Sequence, residues 1–566
     1  MLNRLKIIAF GVSLVLLSSC TQEKPSLEDA MSAYDKYRKE IRKASRWDLS
    51  DSLVQAKISG LEDISSRLSE LDRSILDSDA LINYDMLKLI VEDDLYNLKY
   101  ESHLMPLNAE GGFITGMMYS TRSAQLKDEK SISQYEEQMK NISSYIAGQI
   151  VRMNRGIAEG KVAPEVVIKN CMSILDQQLD GGLESTFMYQ PIARLEDESK
   201  SLIAEIIDQE ALPALRGLRS YLNDTYLSAA RKEDGIHAVT DGKKYYEQRV
   251  RYFTTLDMSP EEVFQTGLSE VARIKSEMQE IINSLGFEGS FADFLEFLRT
   301  DPQFYARTPQ ELLSHAAWLS KKAEEFLPRY FGKLPRNPFT VKPVPEAIAP
   351  TYTGGRYSPG SYKDQRAGQY WVNTYKLDSR PFYVLPALTL HEAVPGHHLQ
   401  GSLVQEMEEV PSFRNTYISA YGEGWGLYSE YLGKEAGYYT TPYEDFGRLT
   451  YEMWRACRLV VDPGIHYKGW DRQKAIDYMA SNTALSMHEV TTEIDRYIGW
   501  PGQAVSYKIG ELKIRELRKR AEEVLGDKFD IRSFHDKILE NGAVPLKTIE
   551  RIIDLFIKEE SSKPSF

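Results

Sequence analysis

The strongest constraint on the fold is a helical pattern that recurs through most of the chain. In the segment SLEDAMSAYDKYRKEIRKASRW, Ser26 is an N-cap residue and Asp29 follows three residues later. One face of this segment carries Leu27, Met31, Tyr34, Tyr37 and Ile41. This spacing is typical of an amphipathic helix. Comparable segments continue to about residue 250 and resume after about residue 390, so the sequence predicts a mainly α protein.

Two features divide this helical pattern. Ser259 precedes Pro260 and two glutamates, which is the order expected at the start of a new helix. We therefore place a boundary near residue 250, between an N-terminal helical region over 20–250 and a second region over 251–566. Prolines then punctuate residues 335–390, where QYWVNT and FYVL have the β-branched and aromatic composition of short strands.

The first twenty residues resemble an export signal with a lipidation site. The basic start MLNRLK is followed by an apolar run that is too short to span a bilayer, and then by LSSC. In this interpretation residues 1–19 are removed and Cys20 becomes the lipidated first residue. Several acyl chains on Cys20 would anchor the protein to a membrane of the bacterial cell envelope, facing the periplasm or the outside. The alternative is an ordinary secretory signal that ends near a cysteine.

Charge and cysteine content exclude other classes of function. The chain has 69 basic and 83 acidic residues and a net charge of −14, which argues against nucleic acid as a partner. Beyond Cys20 only Cys171 and Cys457 remain, so at most one disulfide can form. The simpler interpretation is two buried thiols. Two cysteines alone cannot build a metal site.

The segment HEAVPGHH at residues 391–398 nearly matches the His-Glu-x-x-His motif of zinc peptidases. In an unbroken helix, His391 and His397 would lie about 9 Å apart along the axis and roughly 120° apart around it, too far to share one metal ion. Pro395 and Gly396 favour a local bulge that would bring the histidines together. His397 is the favoured second ligand, and His398 is the alternative.

A zinc site needs a third protein ligand, and the following segment offers two glutamates. Glu423 and Glu430 lie in SAYGEGWGLYSEYLGKE, seven residues apart and so on similar faces of a helix. We predict Glu423 as the third ligand and Glu430 as a hydrogen-bond acceptor for a ligand histidine. The alternative is that both are solvated carboxylates on a helix surface.

Five segments together carry a family resemblance: HEAVPGHHLQ, YGEGWGLYSEYLG, VVDPGIHYKGW, RYIGWPGQAVSYKIG and FHDKILENGAVPL. In this order they resemble the bacterial family known as domain of unknown function 885, which is grouped with the gluzincin metallopeptidases. The resemblance covers most of the chain. It implies a mostly helical body similar to the oligopeptidases, in which both halves enclose one deep cleft.

The resemblance implies a zinc-dependent peptidase with one Zn²⁺ per chain and short peptides as substrates. Glu392 would act as general base. His466 and Tyr507, from two of the later segments, would stabilise the oxyanion. Arg496 would bind the C-terminal carboxylate of a substrate, as in a carboxypeptidase or dipeptidyl carboxypeptidase; the alternative is an ion pair with Glu493.

Two other classes of function compete with the peptidase. The chain has 34 tyrosines and seven tryptophans, which a helical lipoprotein could use to bind peptides or glycans without catalysis. Zinc in the purified protein would distinguish a peptidase from this binding module, because binding without catalysis does not need the His-Glu residues. A metal-free hydrolase is disfavoured, because no nucleophile motif such as Gly-x-Ser-x-Gly is present. The strand QYWVNT is either an edge strand that pairs with an extended peptide or an ordinary core strand.

Overall fold

The structure is a computed structural model that describes residues 26–43, 47–122, 124–346, 349, 352–407 and 410–564. The expected leader and Cys20 lie outside these residues. Helices contain 71% of the chain, which confirms the prediction of a mainly α protein. In the described part of the chain, no helix is long and apolar enough to cross a membrane.

Helices fill the chain up to residue 254. They are α1 Leu27–Lys43, α2 Asp51–Ser69, α3 Ser78–Lys99, α4 Phe113–Arg122, α5 Glu129–Ala158, α6 Glu165–Leu179, α7 Asp197–Ile206, α8 Leu212–Tyr221 and α9 Gly242–Thr254. Residue 250, near which we placed a boundary, lies inside α9. Buried residues from both sides of this position belong to the same hydrophobic core.

The next group of helices begins at the N-cap that the sequence indicates. It comprises α10 Pro260–Ser284, α11 Phe291–Thr300, α12 Pro309–Glu324 and α13 Leu327–Tyr330. The Ser259 hydroxyl accepts a hydrogen bond from the backbone N–H of Glu262 at 3.2 Å, and the Glu262 carboxylate accepts one from the Ser259 N–H at 2.8 Å. This reciprocal pair satisfies two backbone donors at the start of α10.

A three-stranded sheet follows, in the proline-punctuated region. It consists of β1 Phe339–Pro343, β2 Gly355–Ser358 and β3 Gly368–Val372 in the order β1-β3-β2. The central strand β3 is parallel to β1 and antiparallel to β2. QYWVNT therefore contributes the middle strand, and the edge-strand alternative is wrong. The strand prediction for FYVL is also wrong, because Phe382–Val384 is a 3-10 helix that leads into the next α-helix.

The remaining helices complete the body around one long buried helix. They are α14 Leu385–Glu392, α15 His397–Gln405, α16 Ser419–Glu435, α17 Pro442–His466, α18 Arg472–Asn482, α19 Met487–Gly499, α20 Ser506–Leu525, α21 Ile531–Leu539 and α22 Leu546–Ser562. From Phe446 to His466 every residue of α17 is buried. It packs against α10 and α14, while α16 packs against α14 and α20.

Cys171 and Cys457, the two cysteines after Cys20, are buried and lie far apart in the sequence. Cys171 on α6 and Cys457 on α17 are both free thiols with no exposed surface. Burial raises the pKa of each thiol, so neither is a reactive thiolate at neutral pH. The simpler interpretation of the two cysteines is therefore confirmed.

Candidate metal centre

The His-Glu segment forms two helices instead of one bulged helix. Helix α14 ends at Glu392, residues 393–396 form a turn, and α15 begins at His397. The backbone N–H of His398 donates to the carbonyl of Ala393 at 3.1 Å, which closes the turn. The break changes the direction of the chain between His391 and His397, so the two imidazoles can approach each other.

Pro395 and Gly396 make this turn in different ways. The Val394–Pro395 peptide bond is cis, and the Pro395 carbonyl accepts a hydrogen bond from the Trp425 indole at 2.8 Å. Gly396 lies so close to the end of α14 that a Cβ atom there would be 1.9 Å from the His391 carbonyl oxygen. No residue with a side chain fits at this position, so the glycine allows the turn.

Three side chains from α14, α15 and α16 converge at the turn. Nε2 of His391 lies 3.5 Å from Oε2 of Glu423, and Nε2 of His397 lies 3.4 Å from the same oxygen. One donor atom from each of these residues lies within 4.8 Å of the other two. The structure thus brings together the two favoured histidines and the favoured glutamate.

The donor set and its spacing fit zinc. Zn²⁺ takes imidazole nitrogen and carboxylate oxygen ligands at about 2.0–2.1 Å, and a tetrahedral arrangement then separates the ligand atoms by about 3.4 Å. The two nitrogen–oxygen distances, 3.4 and 3.5 Å, match this separation. The side chains of His397 and Glu423 are 16% and 15% exposed, so one side of the cluster is open to water or a substrate.

The other ring nitrogen of His391 is held by a buried carboxylate. Its Nδ1 lies 2.7 Å from Oε1 of Glu430, and both side chains are almost fully buried. Nη2 of Arg455, on α17, lies 3.6 Å from the same carboxylate oxygen. This arrangement keeps the Nδ1 proton towards Glu430 and leaves the Nε2 lone pair for a metal ion. Glu430 therefore lies where the sequence interpretation placed it.

Glu423 is itself oriented by a tyrosine. The hydroxyl of Tyr417 donates to Oε1 of Glu423 at 2.9 Å, which leaves Oε2 facing the two histidines. On the next turn of α16, Gly426 provides room for the His391 ring, because a Cβ atom there would be 2.7 Å from its Nε2. The glycine-rich start of α16 thus lets His391 lie directly against that helix.

Carboxylates outnumber the histidines around the cluster. Burial lowers the pKa of His391, but hydrogen bonds to Glu423 and Glu430 outweigh this effect and raise it to about 10. Burial raises the pKa of Glu423, and the nearby His397 and His391 bring it well below its usual range. The carboxylates therefore favour positive charge at the histidines, which either a proton or a metal ion can supply.

Glu392 lies beside the cluster and is held by the sheet. Its Oε2 accepts a hydrogen bond at 2.7 Å from the backbone N–H of Tyr357 on β2, and the residue is 9% exposed. This bond fixes the orientation of the carboxylate and leaves its second oxygen for another partner. A carboxylate oriented in this way can accept a proton from a water molecule in the open side of the cluster.

His398, the alternative second ligand, points away from the cluster. Its Nδ1 lies 3.1 Å from the Tyr357 hydroxyl and 3.3 Å from the Ser402 hydroxyl, in a buried pocket behind the sheet. Burial lowers its pKa to about 4, as expected for a neutral imidazole in the core. The adjacent histidines at the start of α15 therefore face different directions and have different partners.

The structure does not bring His466 to the cluster. Its Nδ1 accepts a hydrogen bond from the Ile236 N–H at 3.1 Å, and its Nε2 lies 2.9 Å from the Tyr497 carbonyl oxygen. The residue has no exposed surface, and burial lowers its pKa to about 3. With both ring nitrogens occupied, His466 has a structural role at the end of α17 in place of the catalytic role expected from its segment.

Tyr507 and Arg496 lie on the side of α19 and α20 that faces Tyr417. Tyr507 is partly exposed, stacks over the Arg458 guanidinium at 4.3 Å, and interacts electrostatically with Tyr417 and Arg496. Arg496 lies 3.2 Å from Glu493, the expected ion pair, and donates to the Gln503 side chain at 2.7 Å.

The carboxylate of Glu493 is shared by two arginines. Nη2 of Arg458 lies 3.0 Å from the same Glu493 oxygen that Arg496 contacts. Arg496 has a second carboxylate partner, because its Nε lies 3.6 Å from Glu110. Nη1 of Arg458 is buried and has no hydrogen-bond partner among the described residues, so it is a donor for an anionic group of a ligand.

Sequence reasoning missed three residues that organise the cluster: Tyr357, Tyr417 and Arg455. Tyr357 acts through its backbone N–H, which no side-chain pattern can reveal, and Tyr417 is one of many tyrosines. Arg455 carried a usable signal. It belongs to a series of charged residues at helical spacing in the otherwise apolar α17, and charges on a buried helix must have partners.

Comparisons with known proteins agree with the resemblance and with the fold. The family described as bacterial proteins of unknown function, DUF885, matches residues 33–553. A structure described as that of "the putative lipoprotein from Colwellia psychrerythraea" has 28% sequence identity and a TM-score of 0.84, and the match covers 94% of this chain and 100% of that chain.

A second solved structure shows the same fold at lower identity. It is described as "a putative lipoprotein of unknown function from Shewanella oneidensis" and has 19% identity and a TM-score of 0.73, with 93% of this chain and 99% of that chain covered. None of the curated proteins matches this chain. Because the family match spans most of the sequence, the chain belongs to the DUF885 family of bacterial proteins.

Proposed function

We propose that this protein is a zinc-dependent peptidase that hydrolyses short peptides. The observation that carries the proposal is the convergence of His391, His397 and Glu423, whose ligand atoms lie within 4.8 Å of one another, with the Glu392 carboxylate close enough to affect His391 electrostatically. A helical body that encloses such a cluster in a cleft would select peptides over folded proteins. The family match supports the fold, while the activity rests on the chemistry of these residues.

The three ligands and Glu392 have separate roles in this proposal. His391, His397 and Glu423 would hold the ion, which would polarise the scissile carbonyl and acidify an attacking water. Glu392 takes the proton from that water and passes it to the leaving amine. The Tyr357 N–H keeps the Glu392 carboxylate oriented throughout, because its hydrogen bond uses only Oε2.

The guanidinium groups of Arg458 and Arg496 near Tyr507 support cleavage close to a free C-terminus. Both contact Glu493, Arg496 also lies near Glu110, and Nη1 of Arg458 has no hydrogen-bond partner among the described residues, so a substrate carboxylate would find a free donor there. Tyr507 interacts electrostatically with Arg496 and with Tyr417, which donates to Glu423, and its hydroxyl would contact the developing oxyanion. This arrangement suits a carboxypeptidase or a dipeptidyl carboxypeptidase.

The leader sequence and the solved relatives support a location on a membrane of the cell envelope. Both solved structures are described as lipoproteins, and this chain has Cys20 after an apolar run. The acyl chains would hold the protein at the membrane while the helical body faces outward. Fractionation of wild type and Cys20→Ser tests this: the wild type is expected with membranes and the variant free of them or unprocessed.

The central experiment combines metal analysis with digestion of a peptide library. Purified protein is expected to contain about one zinc per chain. Glu392→Gln is expected to keep the zinc and to lose at least about a hundredfold of the hydrolysis rate. The matched control is Glu406→Gln, an acidic residue at the end of α15 that pairs with Arg336. Absence of zinc from the wild type would favour the non-catalytic binding module, and unchanged turnover in Glu392→Gln would remove that residue from the mechanism.

A further inference from the structure

A cavity of about 230 Å³ shares helix α14 with the candidate metal centre. Its wall includes Leu388 on α14, Tyr451 on α17 and Gly354 just before β2. Leu388 precedes His391 by three residues, about one turn of the same helix. The cavity and the cluster of metal-binding candidates therefore share helix α14, and the β2 region connects the cavity with Glu392.

The distance between the cavity and Glu392 follows from the length of chain that joins Gly354 to Tyr357 at β2. Gly354 lines the cavity, and Tyr357 donates its backbone N–H to Glu392. Three residues of a strand span roughly 10 Å. An extended peptide that places its scissile bond at the cluster can therefore reach the cavity with a side chain two or three residues away.

Most of the cavity wall is apolar or aromatic. Leucines 312, 385, 388 and 485 line it together with tyrosines 305, 383 and 451. Such a wall favours the apolar part of a side chain, because burial removes that part from water. The volume is sufficient for one amino-acid side chain. The apolar wall alone does not select among side chains of similar size.

Two charged groups in the same cavity lack partners. Nε of Arg380 is buried and has no hydrogen-bond partner among the described residues. No cation in the described part of the chain forms an ion pair with the Glu489 carboxylate. Burial raises the pKa of Glu489, and the nearby positive charge of Arg380 opposes this shift more than any other residue does. A donor and an acceptor are thus available to a ligand inside one cavity.

The wall has one further residue of each charge. Arg299 donates from Nη2 to the carbonyl oxygens of Ala480 and Thr483 at 3.4 and 2.7 Å, while its Nε is buried without a partner among the described residues. Asp378 lies exposed at the rim. With Arg380 and Glu489, the cavity has two cations and two carboxylates. A ligand with a net charge would be repelled by the two residues of like charge. It would also lose its hydration in the cavity, and the two residues of opposite charge would not fully compensate this cost.

We infer that this cavity is a specificity pocket for a neutral side chain with a terminal amide, such as glutamine, on the peptide substrate. The amide oxygen accepts hydrogen bonds from Arg380 and the amide nitrogen donates to Glu489, while the methylene groups lie against the leucines. This inference rests on the proposed peptidase function and extends it to a substrate class. Glutamate lacks the donor, lysine lacks the acceptor, and leucine leaves both charged groups unpaired.

The test uses a peptide that the wild type cleaves, with each position near the scissile bond changed in turn to glutamine, glutamate, lysine or leucine. At one position, two or three residues from the cleaved bond, glutamine is expected to have at least about a tenfold higher kcat/KM than the others. Glu489→Gln is expected to shift this preference towards glutamate, because Arg380 then acts alone. Arg380→Gln is expected to shift it towards lysine.

Two surface substitutions serve as controls, since they remove the same charges elsewhere. Glu288→Gln and Arg307→Gln lie on exposed positions outside the cavity and are expected to leave the preference unchanged. Misfolding would lower the cleavage rate of all four peptides together. Zinc content and thermal unfolding detect this case. Equal losses on all four peptides in correctly folded Glu489→Gln and Arg380→Gln would overturn the inference.

Direct binding separates this inference from the proposed function. The same four peptides are titrated calorimetrically into the Glu392→Gln variant, which has both cavity residues. If the wild type cleaves no peptide but the glutamine peptide still binds about tenfold more tightly, with the reciprocal shifts in the two charge variants, the function fails and the cavity assignment stands. If peptides are cleaved but bind without regard to this side chain, the cavity assignment fails.

Discussion

Two histidine sites in this protein have similar local sequences and different chemistry. Pro395 and Gly396 precede His397, and Pro463 and Gly464 precede His466. At the first site α14 ends and the chain turns before α15, whereas at the second α17 continues through Pro463 to His466. The same dipeptide therefore breaks one helix and lies within the last turn of another.

The surroundings of the two imidazoles decide their roles. His391 and His397 meet carboxylates and an open side of the molecule, whereas both nitrogens of His466 are bonded to backbone groups in the core. The Nε2 atoms of His391 and His397 have no backbone partner and are available to a cation, whereas both nitrogens of His466 are already occupied. The comparison shows that a metal-ligand histidine and a structural histidine are distinguished by the partners of their ring nitrogens.

The largest expected effect is loss of the metal. His391→Ala and His397→Ala each remove one of the three converging donors and are expected to abolish stoichiometric zinc binding. His398→Ala is the matched control, since it removes the neighbouring imidazole that faces Tyr357 and Ser402. Zinc per chain in the purified proteins is the measurement. Full zinc occupancy in His391→Ala would end the metal-centre interpretation.

The next effect concerns the carboxylate behind His391. Glu430→Gln weakens the hydrogen bond that orients the His391 ring and is expected to lower zinc affinity by about ten- to a hundredfold while the site still forms. Competition with a chelator of known affinity gives the number. Glu435→Gln, one turn later on α16 and paired with Arg518, is the control. An unchanged affinity in Glu430→Gln would show that packing alone positions His391.

A smaller effect is expected at Arg496, in the arginine pair near Tyr507. Arg496→Ala removes one of the two guanidinium groups that share Glu493 and is expected to reduce cleavage of a free-acid peptide by about tenfold. The C-terminally amidated form of that peptide, already a poor substrate for the wild type, should lose little. If the wild type cleaves acid and amide equally well, Arg496 has only its structural ion pair.

The smallest effect on the metal centre is expected from His466. His466→Ala leaves the Ile236 N–H and the Tyr497 carbonyl without partners, at a cost of about 1–3 kcal/mol for a buried group, so Tm falls. Zinc content and kcat should not change. A loss of activity in a variant that still binds zinc and is folded at the assay temperature would return His466 to the catalytic candidates.

The titration of His466 adds a pH dependence to its stabilising effect. Its pKa falls from an ordinary value of about 6.5 in the unfolded chain to about 3 in the folded protein, so the neutral form is the one that the fold stabilises. This contribution is complete above the unfolded pKa and is lost as pH falls from about 6.5 towards 3. Unfolding free energy measured across that range should therefore fall less steeply in His466→Ala than in the wild type.

Local features of the fold were predictable because they depend on neighbours in the chain. The N-caps at Ser26 and Ser259, the helical periodicity and the central strand in QYWVNT all rest on contacts within a few residues. The strand prediction for FYVL was wrong because it also used local composition only. This segment leads directly into α14, and the packing of that helix outweighs the local preference for a strand.

The sequence by itself determined the helical fold class and the candidates His391, His397, Glu423 and Glu430. Only the tertiary structure decided that His397 and not His398 faces Glu423, that His466 is held by backbone groups, and that Arg380 and Glu489 share a cavity. These outcomes depend on contacts between residues tens to hundreds of positions apart. Periodicity and capping act over a few residues, so they specify where helices begin and end but not which side chains meet when the helices pack.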